Sequence, residues 1–313
     1  MNPPQWLSYP AFEAAALLRM SNPLVGRFSI YLDGGRAEEF FDAFALHGWG
    51  IEGLQFNNMS GTNMRLLARA FERLRLSRRD EGGVALTEIW LSDTLFIAEN
   101  GYALARNVLP FMSRITMRNC KIYFQTLSIL VEGFSARCTH LNLSGEHLGH
   151  DKGNAWLLAR ALTRCTNLER LELSSNDFGT SDIEIIAGAI CDYTSLPAVA
   201  ALRGVIGSEA HSLLCEYVSG CPKLKMLDVN CNNLFDFGLI KIARMLSWKL
   251  DLAIRTDAVG ASNEAWDYFD AAMTKAARFR RHALVHGRRD PGERPFCYCP
   301  IGQPKCDCGC TNL

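Results

Sequence analysis

Residues 166–190 read TNLERLELSSNDFGTSDIEIIAGAI, and residues 222–246 read PKLKMLDVNCNNLFDFGLIKIARML. Both stretches contain two apolar residues separated by one residue, then an asparagine, another apolar residue, a glycine and a helical pattern. The asparagines are Asn176 and Asn232. A motif that returns within one chain is the signature of a repeat architecture, so further copies are expected on either side.

Weaker copies extend the pattern in both directions. Together with the two clear copies, they give these first apolar residues: Ile30, Leu54, Ile89, Ile115, Leu141, Leu171, Val199, Leu227 and Leu252. The mean step is about 28 residues, within the range for leucine-rich repeats. The longer step from Leu54 to Ile89 predicts an insertion near residues 77–83.

The chain resembles leucine-rich repeat proteins of the ribonuclease-inhibitor-like subclass over about residues 25–275. The resemblance implies an α/β fold, a curved solenoid with a parallel sheet on its concave face and helices on its convex face. A single unit cannot bury its own apolar face, whereas stacked units share one core. We predict an N-terminal cap over residues 1–28, with a helix at 11–20. The repeats and a terminal helix (262–286) occupy 29–286, and a Pro/Cys-rich tail occupies 287–313.

The residue at the asparagine position of this family bonds backbone groups inside the turn, and Asn176 and Asn232 fit that role. Cys120 is an accepted substitute in the repeat pattern. Three residues depart from it: Thr94, Glu146 and Gly204. We therefore expect the ladder of turn hydrogen bonds to be broken at those three units.

A partner-binding surface follows from the register, because strand side chains alternate between the two faces of a sheet. The predicted partner-binding residues on the concave face are Tyr31, Trp90, Arg114, Arg118, His140, Arg170, Arg203 and Arg255. Trp90 lies between the apolar positions of its strand, so we expect it to be exposed. An exposed tryptophan flanked by charges resembles an interface hot spot. The alternative is that Trp90 packs on neighbouring side chains and binds nothing.

The arginines of this surface come from different strands and form either a basic stripe or a self-neutralised face. Acidic residues fall close to them in the register, namely Glu88, Glu172, Asp228 and Asp251. Exposed pairs of this kind contribute little to stability, and a solvated face is as compatible with the sequence as an anion site.

Composition and motifs exclude several classes of protein. Lys plus Arg is 33 and Asp plus Glu is 33, so a globally basic nucleic-acid binder is not expected. The chain is 48% hydrophobic, which excludes wholesale disorder. It has no run of 18 apolar residues, no signal-peptide pattern and no nucleotide-binding or hydrolase motif. His147 and His150, with Asp151, suggest a metal site, but the register places them in a turn and we interpret them as a solvated loop.

The C-terminal tail carries a dense cysteine cluster after a basic stretch. The cysteines are Cys297, Cys299, Cys306, Cys308 and Cys310. Neighbouring thiolates bind soft or borderline metals, so zinc is the candidate cofactor there. The alternatives are acylation, which with the basic stretch would attach the tail to a membrane, and an unmodified disordered tail.

We predict a non-enzymatic protein–protein interaction scaffold that binds a protein partner on the concave face. The alternatives are an adaptor whose tail binds metal or lipid, and a GTPase regulator, because some proteins with such repeats regulate GTPases. The scattered cysteines of the repeat region favour a reducing compartment, the cytoplasm or the nucleus.

Overall fold

The computed structural model of the protein describes residues 6–20, 25–32, 36–77, 84–151, 153–191, 223–248, 252–256 and 261–286. Strands and helices alternate along these residues. The strands are β1 (Leu7–Pro10), β2 (Gly26–Tyr31), β3 (Ile51–Asn57), β4 (Glu88–Ser92), β5 (Arg114–Arg118), β6 (His140–Asn142), β7 (Arg170–Glu172), β8 (Met226–Asp228) and β9 (Ala253–Arg255). The helices are α1 (Ala11–Arg19), α2 (Ala37–His47), α3 (Gly61–Ser77), α4 (Ala98–Asn107), α5 (Phe124–Leu130), α6 (Asn154–Leu162), α7 (Thr180–Cys191), α8 (Phe235–Trp248) and α9 (Asn263–His286).

The strands of the described chain form a single parallel sheet whose spatial order is the chain order, β1 to β9. One apolar position aligns across it, through Phe28, Leu54, Ile89, Ile115, Leu141, Leu171, Leu227 and Ile254. Parallel neighbours need a crossover, and a helix occupies it between most of the strands. The predicted α/β chain with a parallel sheet and alternating helices is confirmed.

The helices pack on one face of this sheet and build the core. Each helix from α1 to α9 contacts the next one along the chain. Alternate strand residues such as Ile89 and Leu91 are fully buried among them. The predicted helix at 11–20 is α1, and the predicted terminal helix at 262–286 is α9, each within one residue of the expected bounds.

The predicted register is wrong by two residues at both ends of the sheet. Phe28, and not Ile30, aligns with Leu54. Ile254, and not Leu252, aligns with Leu227. Because side chains alternate along a strand, a shift of two residues leaves every side chain on its predicted face.

Two units also differ from the prediction. Residues 1–28 were expected to form only a helical cap, but β1 adds a strand that pairs with β2, with Ser8 beside Ser29. The unit beginning at Val199 was expected to place a strand between the strands of Leu171 and Leu227. Those two residues instead align directly, because β7 pairs with β8. Val199 and the rest of residues 192–222 lie outside the described residues, as does Gly204.

A ladder of buried side chains connects the turns that follow the strands. Asn176 is fully buried, and its Oδ1 accepts hydrogen bonds from the backbone N–H groups of Glu146 (3.1 Å) and Leu148 (3.3 Å). Its Nδ2 donates to the carbonyl oxygens of Leu143 (2.7 Å) and Leu173 (3.0 Å). Each such side chain therefore satisfies backbone groups of its own turn and of the preceding one, which would otherwise be unpaired in the core.

The ladder continues through Glu146 and Thr94, and the expected breaks there are wrong. Glu146 is 2% exposed, and its carboxylate accepts from the backbone N–H groups of Cys120 (2.8 Å) and Ile122 (3.3 Å). The Thr94 hydroxyl accepts from the N–H of Met59 at 3.1 Å and donates to a carbonyl oxygen at 2.9 Å. A carboxylate or a hydroxyl can accept an N–H as an amide oxygen does, so the position tolerates them.

Cys120 occupies the same ladder position as a protonated thiol. Its Sγ donates to the carbonyl oxygens of Arg118 (3.4 Å) and Leu91 (3.5 Å). Burial, with a smaller contribution from the neighbouring Glu146 carboxylate, raises the pKa of this thiol to about 12. The predicted substitution of cysteine for asparagine is therefore compatible with the turn.

Glu146 makes the stability of the fold depend on pH. Burial raises the pKa of Glu146 from its ordinary 4.5 to about 7, against the lowering effect of its N–H donors. Between pH 4.5 and 7, the folded chain thus holds a proton on Glu146 that the unfolded chain has lost. The contribution of this group to the free energy of unfolding is therefore complete below pH 4.5, and it disappears as pH rises through 7. Glu146→Gln should remove that loss and raise the free energy of unfolding at pH 8 by up to about 3 kcal/mol.

Urea titrations of both proteins at pH 5 and pH 8 measure this effect. His140 titrates in an overlapping window, because burial lowers its pKa to about 4, but both proteins share that contribution. The difference between them therefore isolates Glu146. A Glu146→Gln protein that gains no stability relative to the parent between pH 5 and pH 8 would contradict the assignment.

Candidate partner-binding surface

The sheet face opposite the helices is polar and is called the polar face below. Its first row runs across the strands through Arg27, Gly53, Glu88, Arg114, His140, Arg170, Met226 and Ala253. Its second row runs through Ser29, Gln55, Trp90, Thr116, Asn142, Glu172, Asp228 and Arg255. Tyr31, Asn57, Ser92 and Arg118 follow at the carboxyl ends of β2 to β5.

All the predicted partner-binding residues within the described chain lie on the polar face: Tyr31, Trp90, Arg114, Arg118, His140, Arg170 and Arg255. Arg203, together with Asp251, lies outside the described residues. The register brings Arg114, His140 and Arg170 into one row on three adjacent strands. Sequence position alone therefore located these residues on a common surface.

Acidic residues neutralise most of the predicted arginine stripe. Arg27 Nε donates to Glu88 Oε2 at 2.6 Å, and Arg114 Nε lies 3.8 Å from the other oxygen of the same carboxylate. Arg170 Nε lies 2.5 Å from Glu172 Oε1 without a hydrogen bond, so that contact is an ion pair alone.

The same neutralisation extends to the last strands. Arg255 Nη1 lies 3.8 Å from Asp228 Oδ2. Burial raises the pKa of Asp228, and the nearby Arg255 partly opposes that shift. Within the described part of the stripe, Arg118 is exposed and forms no ion pair. A uniformly basic surface is therefore absent from the polar face, and Arg118 is its most available cation.

His140 contributes a neutral imidazole to the first row. Burial, followed by the positive charges of Arg114 and Arg170 on either side, lowers its pKa to about 4. Its Nδ1 lies 2.9 Å from the hydroxyl of Thr139, which donates to the carbonyl oxygen of Ser113. Burial therefore favours the neutral form of His140, and the two arginines beside it add a smaller effect in the same direction.

Trp90 is half-buried, which corrects the expectation that it is exposed. The ring of Trp6, a residue of the predicted N-terminal cap, meets it edge-on with the centroids 6.1 Å apart. Gly53 lies beneath this contact, since a Cβ there would come within 3.2 Å of Trp6 Cη2 and 3.0 Å of Arg27 Cγ. The missing side chain thus makes room for Trp6, and the two tryptophans form one aromatic platform at the N-terminal side of the polar face.

A second cluster lies in the turns after β6 and β7. His147 Nδ1 is 2.7 Å from Asp177 Oδ2, and His150 Nε2 is 3.4 Å from the same oxygen. Asp151, which the sequence pattern paired with these histidines, instead accepts the N–H of Gly153 at 2.9 Å. The sequence did contain a signal that Asp177 lies beside His147. Asp177 directly follows the ladder residue Asn176, and His147 directly follows the neighbouring ladder residue Glu146.

Two further features lie apart from the predicted partner-binding residues. An open cleft of about 530 Å³ lies at the start of α3, and none of the predicted partner-binding residues lines it. Its Arg65 and Asn100 are hydrogen-bonded to each other at 3.1 Å. The predicted zinc ligands Cys297, Cys299, Cys306, Cys308 and Cys310 lie outside the described residues.

Comparison with known proteins leaves the family open. No family model matches the chain, and no curated protein is significantly similar to it. Among the described helices, none has the length and apolar character needed to cross a membrane.

Proposed function

We propose that the chain is a curved leucine-rich repeat solenoid that acts as a protein–protein interaction scaffold. Three features support the solenoid: strands in chain order, each helix against the next, and the ladder of buried turn residues. Units that contact only their neighbours are typical of such architectures. In this proposal the polar face is the concave face, and a segment of a partner protein lies across it.

The observation that carries the proposal is the side-by-side arrangement of an aromatic platform and an exposed arginine. Trp6 and Trp90 supply the platform, and Arg118 ends the strand next to that of Trp90. Tryptophan and arginine are the residue types that most often dominate the binding energy of interfaces. The paired charges elsewhere on the face then give orientation and not affinity.

The chemistry of the surface favours a partner segment with an apolar anchor next to an acidic group. The platform would take the apolar side chain, and the acidic group would lie near Arg118. Arg118 is exposed and forms no ion pair with the described residues, so an acidic group there would be its counterion. Binding should therefore weaken as the salt concentration rises.

Trp90→Ala combined with Arg118→Glu should abolish partner capture, with a loss of at least about tenfold. The melting temperature should change by only a few degrees, because Trp90 is half-buried and Arg118 exposed. The immobilised full chain, incubated with cell extract and analysed by quantitative mass spectrometry, measures the captured protein.

A matched control replaces the same kinds of side chain on the helix side. Tyr102 is 63% exposed on α4, and Arg106 lies one turn later on the same helix. Tyr102→Ala with Arg106→Glu should capture the partner as the parent chain does. Retained capture by the Trp90/Arg118 variant, or equal loss in the control, would reject the polar face as the binding surface.

A further inference from the structure

Two imidazoles and a carboxylate converge in the turns that follow β6 and β7. His147 and His150 come from the turn after β6, and Asp177 comes from the turn after β7. Their nearest ligand atoms, one from each residue, all lie within 4.8 Å of one another. The two imidazole rings are 5.7 Å apart, with 32° between their planes.

The backbone under this cluster is fixed by the buried ladder. Glu146 and Asn176, which immediately precede His147 and Asp177, are hydrogen-bonded to each other at 3.1 Å. The Gly149 N–H donates to the carbonyl oxygen of Asn176 at 2.7 Å. Two ladder positions therefore hold the turns at a constant separation, and the cluster needs no rearrangement of the backbone to form.

Gly149 allows the two turns to approach this closely. A Cβ at Gly149 would lie 2.2 Å from the Asp177 carbonyl oxygen and 2.6 Å from the Phe178 nitrogen. His147 and Asp177 themselves adopt left-handed backbone angles, with φ of 55° and 60°. The same left-handed conformation recurs in the turns after other strands, for example at Asp93 and Asn119, so it belongs to the turn and is not specific to the ligand positions.

The donor set matches a borderline divalent cation. Imidazole nitrogen and carboxylate oxygen are ordinary zinc ligands, and zinc sites with three protein ligands keep a position for water. Tetrahedral coordination at ordinary bond lengths separates neighbouring donor atoms by about 3.3 Å. The His150–Asp177 distance of 3.4 Å already fits. The His147–Asp177 distance of 2.7 Å must open by a few tenths of an ångström, which a side chain that is 61% exposed can do.

We propose that His147 Nδ1, His150 Nε2 and the Asp177 carboxylate bind Zn²⁺, with water completing the coordination. The ion replaces the direct His147–Asp177 contact and cross-links two adjacent turns. The side chains of all three residues are accessible to an ion, with exposures of 61%, 75% and 39%.

The test uses the full chain and follows its histidine imidazole resonances by ¹H–¹⁵N NMR during titration with zinc chloride. The resonances of His147 and His150, assigned with His147→Asn and His150→Asn, should shift together, whereas those of His140 should not move. Asp177→Asn should weaken the binding at least about tenfold, because even changes to the partners of metal ligands cost that much. Asp151→Asn is the matched control and should bind zinc within about twofold of the parent chain, because Asp151 is outside the ligand set.

Thiolates of the terminal cysteines would also take up zinc, but they would leave the resonances of His147 and His150 in place. Unshifted resonances for these two histidines at saturating zinc would overturn the proposal. So would an Asp151→Asn protein that loses as much affinity as Asp177→Asn.

Discussion

Asn176→Ala is expected to destabilise the protein by about 4 kcal/mol, against a total of roughly 5–15 kcal/mol for a typical folded domain. The substitution leaves the N–H groups of Glu146 and Leu148 and the carbonyl of Leu143 without their partner. An unpaired buried backbone group costs about 1–3 kcal/mol. The Leu173 carbonyl keeps a partner in Asn232 and does not add to the loss.

The melting temperature should fall by roughly 10 °C in a thermal scan followed by circular dichroism. Asn167→Ala is the control, because Asn167 also hydrogen-bonds through both side-chain atoms but is on the surface. It should cost less than about 1 kcal/mol. Equal losses for the two variants would show that the ladder does not carry the stability assigned to it.

Gly149→Ala should destabilise the fold by about 3 kcal/mol, the upper part of the usual range for an added methyl with no room. The added methyl would lie 2.2 Å from the Asp177 carbonyl oxygen and 2.3 Å from its carbonyl carbon. Backbone atoms cannot rotate away as the end of a side chain can, so the two turns must separate. That movement would strain the hydrogen bond between Gly149 N–H and the Asn176 carbonyl.

Gly179→Ala offers a control at the equivalent position of the next turn. The nearest atom to a Cβ there is Asp182 Oδ2 at 3.7 Å, an ordinary contact. The free energy of unfolding of the Gly179→Ala protein should stay within about 0.5 kcal/mol of the parent value in urea titrations. A Gly149→Ala protein as stable as Gly179→Ala would mean that the two turns lie farther apart than described.

Much of the fold followed from periodicity, because a pair of apolar residues marks each strand between Leu54 and Leu227. The prediction was wrong where the alternating apolar residues extend beyond a single pair. At Ile30 and Leu252 the apolar residues continue with a period of two, and no local signal separates one register from the next. Val199 satisfied the pattern, but β7 pairs directly with β8, so no strand lies between these two in the sheet of the described residues.

The site was less predictable, because its key contacts join residues far apart in the chain. The register assigned the polar face correctly, but it could not show that Trp6 covers Trp90 or that Asp177 reaches His147. The expected ladder break at Glu146 was wrong for a chemical reason. The sequence pattern specifies a residue type, whereas the turn requires only an acceptor for two N–H groups.

The strand order has a mechanical consequence. Because every described strand pairs with the one that precedes it in the chain, a force applied along the chain would load one boundary between neighbours at a time. The strands would detach one at a time from an end of the sheet. Each step would release a length of chain, and the remaining strands would keep their pairing. The span between β7 and β8, from Glu172 to Met226, would release the longest single length.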